Sequence, residues 1–232
     1  MKTGILVPMP QELLSLTNVR MGLGSCINLT DHLVVCLTGI GRDRTHQGFE
    51  QLLDQNVGLL ISWGSAAGLF QGINAGDLLI PESVKIERRV YNTSGLFNQK
   101  IISNLPQSII LHQGPIVETR NILASVKDKE QLFESSGCKA ADMESGVLAQ
   151  LATENNIPFS VIRSVSDAVD LALPASLLGS FRNGTVQPLT LMTKALTKPG
   201  DWISIIKLIS GFKRAKKTLQ IAGEVIKTYS DG

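Results

Sequence analysis

Apolar residues along this chain fall into two kinds of stretch, compact extended runs and longer segments at helical period. Ile5-Leu6-Val7, Leu33–Leu37 and Leu59-Leu60-Ile61 are short apolar runs bounded by proline, glycine or polar residues, which predicts buried strands. Gln11-Glu12-Leu13-Leu14 opens amphipathically, and Arg42 to Leu53 repeats apolar residues at helical spacing. Further on, Leu78-Leu79-Ile80 and Val84–Val90 predict neighbouring strands, Asn92–Lys100 a loop, Ile109–Val117 a strand and Ala124–Phe133 a helix. Ser145–Ala152 is again helical in period and stops at Asn155-Asn156. Pro158 then opens Phe159–Val165, a β-rich run ending at Ser166-Asp167. This alternation predicts a single α/β domain over residues 1–232, with a mixed, mostly parallel sheet flanked by helices. Beyond residue 170 the pattern changes to a turn-rich stretch and a helical extension over about 188–229, with helices at roughly 188–197 and 201–229.

Composition narrows the class. A chain of 232 residues with 43% hydrophobic content can bury a sizeable core, and a net charge of +2 gives no reason to invoke nucleic acid. Cys26, Cys36 and Cys138 are scattered, odd in number and without metal spacing, so buried thiols in a reducing compartment are expected. No apolar run is long enough to cross a bilayer, and Met1–Pro8 is too short for a signal peptide. A cytoplasmic protein without a metal or organic cofactor is the expectation.

Two acidic clusters stand out, Asp142-Met143-Glu144 and Ser166-Asp167-Ala168-Val169-Asp170. One helix and one strand separate them. If these form a parallel β-α-β unit, both clusters lie at the same edge of the sheet, which brings Met143, Glu144 and Asp167 to one crevice. The glycine motifs are less informative. Gly39-Ile40-Gly41-Arg42-Asp43-Arg44 begins like a dinucleotide fingerprint, but Arg44 stands at the third glycine and no suitably placed acid follows, which argues against NAD. That loop and the small-residue run Gly64-Ser65-Ala66-Ala67-Gly68 both read simply as tight turns, the second one a place where backbone can approach a ligand.

The ordered blocks resemble a known family. Asp142-Met143-Glu144-Ser145 followed by Arg163-Ser164-Val165-Ser166-Asp167-Ala168-Val169-Asp170 is similar to the (E/D)-M-E … R-x-x-S-D-x-x-D signature of purine nucleoside phosphorylases and nucleosidases. Gly4–Glu12, Thr38-Gly39-Ile40-Gly41 and Ile61–Leu69 with Ala75–Pro81 resemble three further family blocks in the right order. The resemblance spans roughly residues 3–170 and implies a three-layer fold and cleavage of the N-glycosidic bond between ribose and a purine. It implies Asp167 as the acid at purine N7 and Glu12 as the base that activates water in hydrolytic members. It further implies Glu144 on the ribose hydroxyls, Met143 against the sugar, Ser65 near the ribose or the attacking group, and Ile122 about where relatives stack an aromatic on the base. Each carboxylate also has a plainer reading as a helix cap or surface partner, Glu144 above all since it opens a helix. Arg163 would oppose a protonated Asp167 and is expected to pair with another carboxylate.

Departures from the family pattern bear on the nucleophile and the substrate. Trp63 stands where some phosphorylases carry a phosphate-binding arginine, and their N-terminal phosphate loop is missing. Inorganic phosphate as co-substrate would fall to Arg42, Arg44 or His46, so hydrolysis is favoured on residues and phosphorolysis stays open. The tail, with Asp170-Leu171-Ala172-Leu173-Pro174 and Asn183–Leu189, is similar to hopanoid-associated phosphorylases, which implies a bulky adenosyl lipid such as adenosylhopane as substrate. A methylthioadenosine or adenosylhomocysteine nucleosidase and a non-catalytic nucleoside-binding relative are the alternatives, and relatives imply a homo-oligomer. Trp202, Ile203, Ile206, Ile209 and Phe212 alternate with Lys207, Lys213, Arg214, Lys216 and Lys217. This composition suits either a helix packed on the domain or peripheral contact with a membrane.

Overall fold

A computed structural model describes residues 2–174 and 202–230. The helix expected at 188–197 lies outside the described residues, as does the turn at Arg182–Thr185.

The sheet is organised around β4 (Val57–Gly68), twelve residues long and buried over most of its length. β1 (Lys2–Val7) runs parallel along its first half, pairing Ile5 with Ile61. β3 (Leu33–Leu37) lies parallel to β1, and β2 (Ser25–Thr30) closes that side antiparallel to β3. On the other flank β11 (Phe159–Asp167) follows β4 in parallel from Phe159 opposite Leu60 to Asp167 opposite Ala67. β5 (Leu78–Leu79) and β8 (Leu111–His112) extend the sheet from β11. From the far end of β4 the order continues through β10 (Ala140–Asp142), β9 (Ile116–Glu118), β6 (Ser83–Ile86) and β7 (Arg89–Asn92).

Alternation along the strands makes the layers. Successive side chains point to opposite faces, so Leu6, Val34, Cys36, Leu60 and Val161 join one buried cluster. Ile5, Val7, Leu33, Val35, Leu37, Ile61, Trp63 and Ile162 join another. The first is covered by α2 (Arg42–Leu53) through Phe49 and Leu52 and by α5 (Ser145–Glu154) through Leu148, Ala149 and Ala152. The second is covered by α1 (Pro10–Leu13), α3 (Gly95–Ile102) and the long α6 (Trp202–Ser230). α4 (Val126–Ser136) starts at Ser125, whose hydroxyl caps the Asp128 N–H, and ends at Gly137 in the left-handed region.

α6 packs on the domain through its C-terminal half. Leu219, Ala222 and Ile226 are fully buried, and a buried leucine or isoleucine is worth roughly 1.5–3 kcal/mol. Gly211 lets the helix lie directly on the Ser166 carbonyl, where any side chain would collide. That packing decides the C-terminal half. The first two turns differ, with Ile203 71% and Ile206 63% exposed.

Several expectations are corrected. The strand at Val84–Val90 is the hairpin β6–β7, folded back where Glu87 adopts φ +55°. The loop at Asn92–Lys100 contains α3, whose apolar Ile101 reaches the core. Ile109–Val117 is broken into β8 and β9, with Gly114 at φ +114° between them. The small-residue run 64–68 is strand and not turn, and β2 had no strong apolar signal because it is a half-exposed edge. Finally, antiparallel register sets Cys26 opposite Cys36, and the two are joined as a disulfide. The expectation of free buried thiols holds only for Cys138.

Candidate active site

The two acidic clusters meet, although not through the unit expected. β10 and β11 are not parallel neighbours. β10 pairs antiparallel with the end of β4, Ala141 opposite Ala67, while β11 pairs parallel with it, Asp167 opposite the same Ala67. The end of β4 is thus held between them, and the residues that follow β10 face the end of β11. A cavity of about 140 Å³ opens there. Glu12, Ser65, Ile122, Met143, Glu144 and Asp167 all line it, together with Asp142, Leu173, Leu208 and Phe212.

Glu12 arrives from α1, the short helix that Pro10 starts directly after β1. Its Oε1 accepts the Ser65 N–H at 2.7 Å and the Ser65 hydroxyl at 2.6 Å, and its Oε2 accepts the Met9 N–H at 3.2 Å. Gly64, at φ +154°, is what admits the carboxyl, since a Cβ there would stand 2.9 Å from it. Burial raises the Glu12 pKa above the usual carboxylate range, against the Ser65 hydrogen bond and the charge of Arg163.

Glu144 precedes α5 but does not cap it. Its Oε1 reaches across to the Gly41 N–H at 3.0 Å, in the loop between β3 and α2. The free amides at the start of α5 are taken by other acids: Asp142 accepts the Ser145 N–H, and Glu118 accepts the Val147 N–H at 2.7 Å. Glu144 is therefore released from the structural role that its position in the sequence suggests. Burial, then the neighbouring Asp142 charge, push its pKa well up, while Arg163 works the other way. Glu118 is pushed up to about 7, first by burial and then by Asp142.

Arg163, wholly buried on β11, pairs with Asp142 and not with Asp167. Its Nη2 is 2.6 Å from Asp142 Oδ2, donates to the Ser62 hydroxyl at 2.7 Å, and stands 3.9 Å from Glu144. Its Nη1 is buried with no acceptor among the described residues. One guanidinium thereby balances a group of three carboxylates, Asp142, Glu144 and Glu12.

Asp167 has a partner that sequence reasoning missed. Lys129 of α4 donates to Asp167 Oδ2 at 2.6 Å, while Ser166 donates to Oδ1 at 2.6 Å. Burial raises the Asp167 pKa, and the Lys129 charge is the largest opposing influence. The clue was periodicity: position 129 falls three residues after Val126 and three before Leu132, on the inward stripe of its helix. A lysine among charged neighbours hid that.

The phosphate candidates sit elsewhere. Arg42 donates to Glu118 at 2.8 Å and stands 3.6 Å from Glu87, while exposed Arg44 lies 3.5 Å from Gln47. His46 is half exposed beside Glu50. Among the described residues, no arginine, lysine or histidine lines the cavity.

Comparison with known proteins assigns the chain to a family. The model of the phosphorylase superfamily matches residues 2–183, and the chain belongs to that family. A 5′-methylthioadenosine/S-adenosylhomocysteine nucleosidase of Maridesulfovibrio salexigens is 27% identical over 205 residues, covering 73% of this chain and 87% of that one. The enzyme of the same name from Haemophilus influenzae is 25% identical over 202 residues, with the same coverage. Among solved structures, the Neisseria meningitidis nucleosidase of that name, in complex with methylthio-immucillin-A, superposes with a TM-score of 0.73. It is 19% identical and covers 98% of this chain and 99% of that one. Futalosine hydrolase of Helicobacter pylori superposes with a TM-score of 0.70 at 19% identity, covering 99% and 97%. These structural likenesses confirm the three-layer fold.

Proposed function

We propose that the chain hydrolyses the N-glycosidic bond of adenine nucleosides carrying a small 5′-thio substituent, with methylthioadenosine and adenosylhomocysteine as the first substrates to test. The observation that carries this reading is that every charged side chain lining the cavity is acidic, Glu12, Asp142, Glu144 and Asp167, set among mostly apolar residues. A phosphate anion entering it would meet carboxylates and no lining cation, whereas a sugar developing positive charge would be stabilised. Water is therefore the nucleophile of choice. Glu12, held by Ser65, is the base that takes its proton. Glu144 accepts the 2′ and 3′ hydroxyls, Met143 packs on the sugar, Ile122 lies towards the base, and Asp167 supplies the proton to N7. The names of the relatives move the expected substrate from adenosylhopane to the smaller thio-nucleosides.

The test is adenine release from methylthioadenosine with and without inorganic phosphate. Release at the same rate in both, yielding free methylthioribose, is expected. Dependence on phosphate would return the anion site to Arg42 and Arg44, and no release from any adenosyl substrate would leave a nucleoside-binding protein. Glu144→Gln should cut kcat/KM by about 100-fold or more, because an amide with one acceptor oxygen replaces a carboxyl that can accept from both sugar hydroxyls. Wild-type kcat/KM in Glu144→Gln would remove Glu144 from the site.

A second reading rests on α6. Leu208 and Phe212 line the cavity, while Ile203, Ile206 and Ile209 on the same helix are exposed, with Lys207 and Lys213 beside them. That juxtaposition suits a long apolar 5′ group and contact with an anionic lipid surface. Co-sedimentation with anionic vesicles, lost in Ile203→Asp/Ile206→Asp, is its expected result, and no sedimentation in the wild type would end it.

A further inference from the structure

Lys129 is a lysine with no solvent exposure at all, and its surroundings are built for a cation. Its Nζ donates to Asp167 Oδ2 at 2.6 Å, to the Ala168 carbonyl at 2.9 Å and to the Leu171 carbonyl at 3.0 Å. Three acceptors match the three hydrogens of an ammonium group. Two of them belong to the turn that leaves β11, closed by the Leu171 N–H on the Ala168 carbonyl. Two residues on, Leu173 lines the cavity and its N–H bonds to the Ala124 carbonyl just before α4. One side chain thus joins α4, the cavity rim and the Asp167 carboxylate on the cavity wall.

We propose that Lys129 is the positioning residue of Asp167, fixing the carboxylate against the rim turn and setting the pH range in which Asp167 carries the proton required by the leaving purine. This rests on the reading of Asp167 as the acid. The chemistry is a competition. Removal from water favours the neutral acid, an adjacent ammonium favours the carboxylate, and the acid works only while the first prevails. Other charged groups do not compete directly. Ser166 contributes a hydroxyl from β11, β4 contributes Ser65, Ala66 and Ala67, and α6 contributes Leu208 and Phe212. The remaining ionisable side chains on the cavity wall are Glu12, Asp142 and Glu144, and Arg163 faces those three. Without Lys129, Asp167 would keep its proton to higher pH.

The experiment has two readouts on wild type, Lys129→Met, Asp167→Asn and the double variant. The first is the pH profile of kcat/KM with methylthioadenosine. In Lys129→Met the alkaline limb should move up by at least about one pH unit, since an opposite charge at this range shifts a carboxyl by about 1–3. A lower rate with an unmoved limb would reduce Lys129 to a structural prop and overturn the proposal. The second needs no turnover: urea unfolding between pH 5 and 9. Lys129→Met should lose stability relative to wild type as pH rises, because Asp167 then holds its proton in the fold at pH values where the unfolded chain has released it, and Asp167→Asn should cancel that slope. A slope that survives in the double variant overturns the pairing. If the slope behaves as expected while wild type releases no adenine, the pairing stands, and both the nucleosidase reading and the catalytic half of the proposal fall. Should Lys129→Met not fold at neutral pH, its recovery at pH 5, absent in a variant damaged for other reasons, makes the same distinction.

Discussion

Asp167→Asn should lower kcat for adenine release by about 100- to 10,000-fold, the usual worth of a positioned general acid. The substitution is nearly isosteric. The amide oxygen can still accept from Lys129, whose other two hydrogens keep the Ala168 and Leu171 carbonyls. What disappears is the ability to release a proton to the purine, whose departing ring otherwise leaves as an anion. KM should change little, because an amide can still hydrogen-bond to the base. The alkaline limb of the profile should vanish with the group that titrates. Steady-state kinetics beside circular dichroism distinguish this from a folding defect. A variant within tenfold of wild type would mean that Asp167 serves Lys129 structurally and that the acid lies elsewhere.

Much of the fold was legible because strand and helix periods differ and this chain keeps them apart. Arg42–Leu53 is a helix over the residues its spacing indicates, and the strand opened by Pro158 runs on into Asp167. What failed was topology. Spacing says that 145–154 is a helix between two strands, but it cannot say that both strands attach to the same third one. Antiparallel pairing of β10 depends on Ala67-Gly68 continuing as strand, and small residues there look like a turn. The crevice was still found because two strands flanking Ala67 bring their ends together as surely as two parallel neighbours would. In the same way, sequence placed Glu12, Glu144 and Asp167 by resemblance, whereas only contacts showed their partners. Nothing near Glu144 in the chain says that Asp142 and Glu118 cap α5 in its stead. Lys129 was hidden for a different reason, since a lysine in a charged helix is nearly always solvated.

Arg163→Met should be the most destabilising single change in the site, costing about 3–5 kcal/mol of a total that for such domains is about 5–15. Methionine fills much of the space, so the loss is electrostatic and not a cavity. It strips the counter-charge from Asp142, which has Arg163 at 2.6 Å, and from Glu144 at 3.9 Å, with Glu12 also within its field. The sign with pH follows from linkage. Removing the guanidinium raises Glu12 and Glu144 further above their unfolded pKa values, so between the unfolded and folded values the folded state binds more protons and stability falls as pH rises. The deficit should be small at pH 5, where the buried acids can stay protonated, and large at pH 8. Arg163→Lys keeps the charge but not the fork that serves Asp142 and Ser62 together, so it should fall between the two. Urea midpoints for the three proteins at both pH values are the measurement. Equal stability of wild type and Arg163→Met at pH 8 would mean that the guanidinium gives these acids no net compensation.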